Sequence, residues 1–216
     1  MVKNLIKLML RITDTGASMV DCVKYPIKNS DGYSGNSLLE KNVLFCVKSN
    51  RDFNSAIVQA SKIENFNYQI LKINNINDLE RVSQKKTELG YFDKIVNILN
   101  FDDKDYELID ELNFNNEDVM HMTYHLLQLE TTYMIDNCGD GIATALIVNQ
   151  HSDGVIDETI GNLLKGLGLP LAAHHIICNS LVANANIPSE DIINTLMFLI
   201  SKYGYELNGE CLNLGC

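Results

Sequence analysis

The chain has 216 residues, 46% hydrophobic and 21% charged, which is enough to bury a large core in one domain with or without an extension. Its formal net charge of −11 and pI near 4.8 argue against a basic face for nucleic acid and against an anionic membrane surface. With only three prolines and no tryptophan, it is neither collagen-like nor Pro-rich, and it is too apolar for a long disordered chain.

Residues 1–41 read as an extension or arm rather than a domain. Lys3 to Arg11 mixes apolar and basic residues, and charges interrupt it too early for a signal peptide. It is expected to pack on a partner or on its own domain. Thr13-Asp14-Thr15-Gly16 and Asn29-Ser30-Asp31-Gly32 are turn clusters. No apolar run reaches 18 residues, so no membrane span is expected.

A regular alternation starts at Asn42 and defines the expected domain, 42–216. Val43 to Val47 is an apolar run, a buried strand. Asn54 to Glu64 has helical spacing through Ile57, Val58, Ala60 and Ile63. Tyr68 to Ile73 is a second strand, and Asn77-Asp78 caps a helix through Leu79 and Val82. Lys94 to Leu99 is a third strand, and Asn116 to Asn137 a long helix. Ala143 to Val148 is a fourth strand, followed by a helix from Ile156 to Ala173. Ile176 to Val182 is a fifth. Ser189 is placed as the cap of a helix with Glu190 and Asp191 in its first turn and Gly204 at its C-cap. Glu210 to Leu214 closes as a sixth strand. Continuous apolar strands alternating with helices predict an α/β fold, a doubly wound, mainly parallel Rossmann-like sheet.

The six cysteines are scattered, with no CxxC and no zinc-ligand spacing, and read as free thiols in a reducing cytoplasm. His174-His175 would point to opposite faces of a strand, a poor arrangement for joint metal ligands. His121 and His125 stand four apart on the long helix, but Met122 replaces the Glu of HExxH. A His175–Cys178 nucleophile pair has no orienting acid in sequence. The acidic stretch Asp102 to Glu107 reads as a solvated loop.

Several strings carry a family likeness. Ser189 to Ser201 is similar to a late helix ending in "FLAS", and Leu207 to Gly215 to the strand "TGxxLxVDGG". Ile176 to Val182 matches "IRVNxIxPG", with Asn179 in the Asn place, and Phe92 to Asn97 matches "IDxLVNNAG". In order and spacing, these resemble the short-chain dehydrogenase/reductase (SDR) family over roughly 42–215.

The family's chemistry does not follow. Its TGxxxGxG turn lets the backbone approach a dinucleotide pyrophosphate. Here the three Gly places hold Lys48, Asp52 and Asn54, and no Gly occurs between Gly35 and Gly90. Asp52 would oppose a phosphate, an effect Lys48 and Arg51 offset in part. The interval from Ala56 to Asn74 is short, so about one strand-helix unit, the part that usually holds the adenosine ribose, is expected to be missing. The family's Tyr-x-x-x-Lys dyad supplies the proton donor or acceptor, but no Tyr occurs between Tyr133 and Tyr203. Asp157 or the vicinity of Gly154 takes the Tyr place, and Gly161 or Glu158 the Lys place. Lys165 is the only lysine of that helix. Ser152 falls near the family's active-site serine, and Thr123 replaces the helix Asn.

The resemblance therefore implies a degenerate member with no catalytic, cofactor-binding or metal-binding residues and no cofactor. It implies a non-catalytic subunit acting as structural or regulatory partner of an active reductase. It would form a homo-oligomer, or a hetero-oligomer with an active paralogue, through 116–137, 156–173 and 189–214. No nucleic acid or membrane partner is expected. Two alternatives stay open. One is an enzyme, either a divergent NAD(P)-dependent oxidoreductase, 3-oxoacyl reductase-like, working near Ser152, or a fold recruited for different chemistry with His151, Asp153 or Asp157. The other is a small-ligand module at the C-terminal ends of the strands, against which a site filled by Phe53 and Lys48 would count.

Overall fold

The computed structural model describes residues 38–74, 78, 81, 92–100, 119–137, 139–148 and 155–215, with the backbone alone at 119–121, 148 and 155–159. Short runs rich in Val, Ile, Leu and Phe become strands because the inner strands of a parallel sheet covered on both faces bury side chains on both sides. The strands are β1 (Asn42–Lys48), β2 (Asn67–Lys72), β3 (Lys94–Asn100), β4 (Gly141–Val148), β5 (Ile177–Asn184) and β6 (Cys211–Leu214). They form one all-parallel sheet in the order β2-β1-β3-β4-β5-β6.

The helices are α1 (Asn54–Glu64), α2 (Val119–Asn137), α3 (Val155–Ala172) and α4 (Ser189–Ile200). Two buried clusters lie on the two sheet faces. One packs Met122, Leu126 and Leu127 of α2 and Leu164 and Leu167 of α3 against Leu44, Ile95 and Ile142. The other packs Ile57 of α1 and Ile192, Leu196 and Leu199 of α4 against Phe45, Val96 and Ala145. The chain is thus the doubly wound α/β fold expected. Among the described residues one strand, β2, lies beyond β1, where the six-stranded order 3-2-1-4-5-6 has two, in line with the short interval in the sequence.

Two helix ends differ from expectation. Pro188, not Ser189, occupies the cap position of α4, because the Ser189 hydroxyl is engaged by Arg51. The helix ends at Ser201, whose hydroxyl donates to the Phe198 carbonyl, and Gly204 opens a 3-10 turn, Gly204–Leu207. Gly204 is required there because a Cβ would overlap the Leu199 carbonyl. Apart from Asp78 and Arg81, the expected helix after Asn77 lies outside the described residues, as do the stretches 1–37 and 102–107 and residues 149–154.

The N-terminal ends of the strands are closed by charge. Lys94, 2% exposed, pairs with Asp140 at 2.6 Å. Its ammonium lies 3.2 Å from the Tyr205 hydroxyl, which donates to Asp140 at 2.7 Å. Burial lowers the Lys94 pKa against the pull of Asp140. Asp93 accepts the Asn42 amide at 2.8 Å and pairs with Lys41 at 3.3 Å. These contacts fix the start of β1 to β3 and β4, so the opposite ends of the strands are presented as a set.

The C-terminal strand is held by a close crossing. Asn208 donates to the Gly168 carbonyl at 2.7 Å and accepts the Cys178 amide at 3.0 Å. A Cβ on Gly168 would come within 2.8 Å of the Gly209 Cα. Backbone cannot yield as a side-chain tip can, so Gly168→Ala should cost about 1–3 kcal/mol. A urea melt should show the midpoint falling with an unchanged m-value.

Candidate functional site

In open α/β sheets the ligand crevice lies outside the C-terminal ends of the strands, where the strand order reverses. Here β1 leads outward to β2, and the chain then crosses back to β3, so the reversal falls between β1 and β3. The first loop at that point runs from Lys48 to Phe53.

This loop is built from the chain's own polar groups. The Asp52 carboxylate accepts the Asn54 amide at 2.9 Å and the Ser55 hydroxyl at 3.4 Å. It therefore sits as an anion at the N-terminus of α1, where free amides and the helix dipole favour negative charge. A dinucleotide phosphate uses the same kind of position. The Arg51 guanidinium points the other way. It donates to the carbonyls of Ala185 at 3.1 Å and Ile187 at 2.5 Å and to the Ser189 hydroxyl at 3.2 Å. It also lies 5.3 Å from the centre of the Phe53 ring. One side chain thus ties the β1–α1 loop to the β5–α4 loop, and both of its terminal nitrogens donate to protein acceptors.

Phe53 is 2% exposed and belongs to the core on the α1 side. Lys48 ends β1 half-buried, and Asn54 is exposed as the first residue of α1. The non-glycine residues with positive φ among those described are Glu40, Asn65 and His175, so 48–54 turns without the left-handed backbone that favours glycine.

The dyad places are also described in part. Gly161 is buried, its missing Cβ facing Cys211 at 3.3 Å, and Lys165 is exposed. Thr123 is buried on α2. The side chains of Asp157, Glu158 and His121, and residues His151 to Gly154, lie outside the described set.

The His/Cys candidates are not brought together. His174 and His175 are exposed on the turn after α3, with His175 at φ 62 rather than on a strand. Cys178 is fully buried on β5, and burial pushes its thiol far above the ordinary range, the opposite of an activated nucleophile. No group of three or more His, Cys, Asp or Glu residues with metal-site geometry occurs among the described residues. No described helix is long and apolar enough to cross a membrane.

Asn179, placed by motif, has a structural task. Its Oδ1 accepts the Glu210 amide at 3.1 Å and its Nδ2 donates to the Gly204 carbonyl at 3.4 Å, stapling β5 to the turn before β6. Glu130 is not among the residues that motifs single out. It lies fully buried on α2, and its carboxyl accepts the Asn97 amide group at 2.7 Å. The signal was available, because Glu130 follows Leu126 and Leu127 by four and three residues on the same inward stripe.

With this geometry in hand, solved structures supply the class. The fold is similar to a short chain dehydrogenase from Mycobacterium smegmatis, with TM-score 0.63 and 10% identity over 85% of this chain and 95% of that one. It is also similar to a 3-oxoacyl-[acyl-carrier protein] reductase from Brucella melitensis, with TM-score 0.62 and 13% identity over 93% and 98% of the two chains. An enoyl-[acyl-carrier-protein] reductase (NADH) from Aquifex aeolicus gives TM-score 0.62 and 16% identity over 82% and 95%. No family model and no curated relative matches the chain. At these identities the likeness is one of fold, and the chain has the fold of the short-chain dehydrogenases/reductases.

If Arg51 holds the two loops as described, Arg51→Met should lower stability by about 1–3 kcal/mol through lost charge-assisted hydrogen bonds. Chemical denaturation measures this directly, and circular dichroism should show the secondary structure intact.

Proposed function

We propose that this chain is a non-catalytic subunit on the dehydrogenase fold, a structural or regulatory partner of an active reductase. The observation that carries this reading is the β1–α1 loop. Its helix N-terminus already holds the Asp52 carboxylate, and Arg51 is spent on the neighbouring loop. A phosphate entering there would meet a carboxylate rather than free amides. The proton-transfer dyad is absent as well, since α3 carries no tyrosine.

The partner half of the reading rests on what the fold leaves exposed. Leu169 on α3 is 85% exposed, and Tyr203 and Tyr205 are exposed between α4 and β6. These belong to the stretches expected to meet another subunit, and large exposed apolar side chains favour association when they gather. The solved neighbours include 3-oxoacyl- and enoyl-[acyl-carrier-protein] reductases, so an active partner in acyl-chain or natural-product metabolism is the natural first choice.

The test is the melting temperature of the purified chain with and without millimolar NADH and NADPH. A ligand at 100 times its Kd would add about 2.7 kcal/mol, a shift of several degrees. No shift is expected, and a clear one would overturn the non-catalytic reading. Titration into an active paralogue should change that enzyme's activity or solubility. Failure to co-purify, with no effect on activity, would sink the partner role.

A further inference from the structure

The strand register places Cys46, Asn97, Thr144, Ser180 and Cys211 side by side across five strands. Paired residues of neighbouring strands share a face, so these form one continuous row. A doubly covered parallel sheet ordinarily fills such a row with Val, Ile and Leu. The row faces α2, and Glu130 descends onto it from the middle of that helix. Asn97 Nδ2 donates to Glu130 Oε2 at 2.7 Å and reaches Thr144 Oγ1 at 3.4 Å. Among the described residues, Glu130 Oε1, Asn97 Oδ1 and Ser180 Oγ have no hydrogen-bond partner.

An ionised carboxylate in this place would be costly. Burying a charge requires a partner of opposite charge or a full set of donors. Among the described residues no lysine or arginine pairs with Glu130. Among the described residues, the titratable groups that face it are thiols. Cys46 of β1 hydrogen-bonds to it, and both Cys46 and Cys178 of β5 feel its charge. Both thiols are pushed up by burial and stay neutral. β3 and β4 present Asn97 and Thr144, and α3 brings apolar side chains to the same core. On α2 itself, Tyr133 has its hydroxyl accepting the Phe92 amide at 2.9 Å.

We propose that Glu130 is a proton-operated latch between α2 and the sheet. Neutral, it closes the helix onto the polar row; ionised, it loosens that contact. Burial pushes its pKa up to about 8, against the downward pull of the hydrogen bonds from Asn97 and Cys46. The sign follows from linkage. Between the unfolded value near 4.5 and the folded value near 8, the folded chain holds one more proton than the unfolded chain. Stability is therefore fully present below about pH 4.5 and is lost as pH rises through 8.

The experiment is denaturation of the intact chain from pH 5 to 9.5, wild type beside Glu130→Gln. Between pH 5 and about 8 this one group should lower the wild-type folding constant about tenfold per pH unit, and above that the fall should level off. In the variant, whose amide cannot ionise, that fall should be missing and stability at pH 8 should be higher than in wild type. Parallel profiles would overturn the proposal. Should the variant fail to fold, carbon-13 NMR of the wild-type glutamate carboxyls decides. One resonance titrating near pH 8 supports the latch, and all titrating below about pH 5 refutes it.

Discussion

A parallel sheet with helices on both faces has no wet side. Each inner strand must hand its backbone groups to its neighbours, and its side chains, whichever way they point, enter a packed layer. The element order, the two separate cores and the short loops at the strand ends all follow from this. It also explains why the few polar groups inside are so informative. Asn179 is tolerated because both ends of its amide meet backbone partners. Lys94 is tolerated because Asp140 and Tyr205 meet it at the sheet's lower rim. The row under α2 has no such complete set of partners, and there the carboxyl itself must give up its charge.

The same physics governs the loop at the strand-order reversal. A helix N-terminus offers unpaired amides and a partial positive charge, and something negative settles there. In a nucleotide-binding sheet that something arrives from outside, and glycines leave room for it. Here it is Asp52, delivered by the chain. Arg51 then does what a ligand often does in such sheets, bridging loops that leave two different strands. The contacts that shape this loop come from the chain itself.

Much of this was legible in the residues. Apolar runs such as Val43 to Val47 leave little choice but a buried strand, and the alternation with helical stretches fixes the parallel, doubly wound class. The absence of glycine from 48–54 and of tyrosine from α3 is plain from composition alone. What sequence could not supply were the destinations of individual polar groups. That Arg51 reaches Ala185 and Ile187, more than a hundred residues away, depends on α1 and α4 lying side by side. Ser189 looked like a helix cap because local rules favour it there, but a tertiary partner claimed its hydroxyl. The polar row is invisible until the register aligns residues drawn from five strands.

The filled loop also has a bearing on how such a chain can change. Restoring room for a phosphate means putting glycine at places now held by Lys48, Asp52 and Asn54. Each glycine loosens the unfolded chain at a cost of about 0.4–1 kcal/mol, and losing Asp52 strips the amide at Asn54 of its acceptor. No ligand compensates until the last step is in place, because one glycine alone does not open the turn. If the chain is the non-catalytic subunit proposed above, substitutions taken one at a time each lower stability before a bound phosphate repays them.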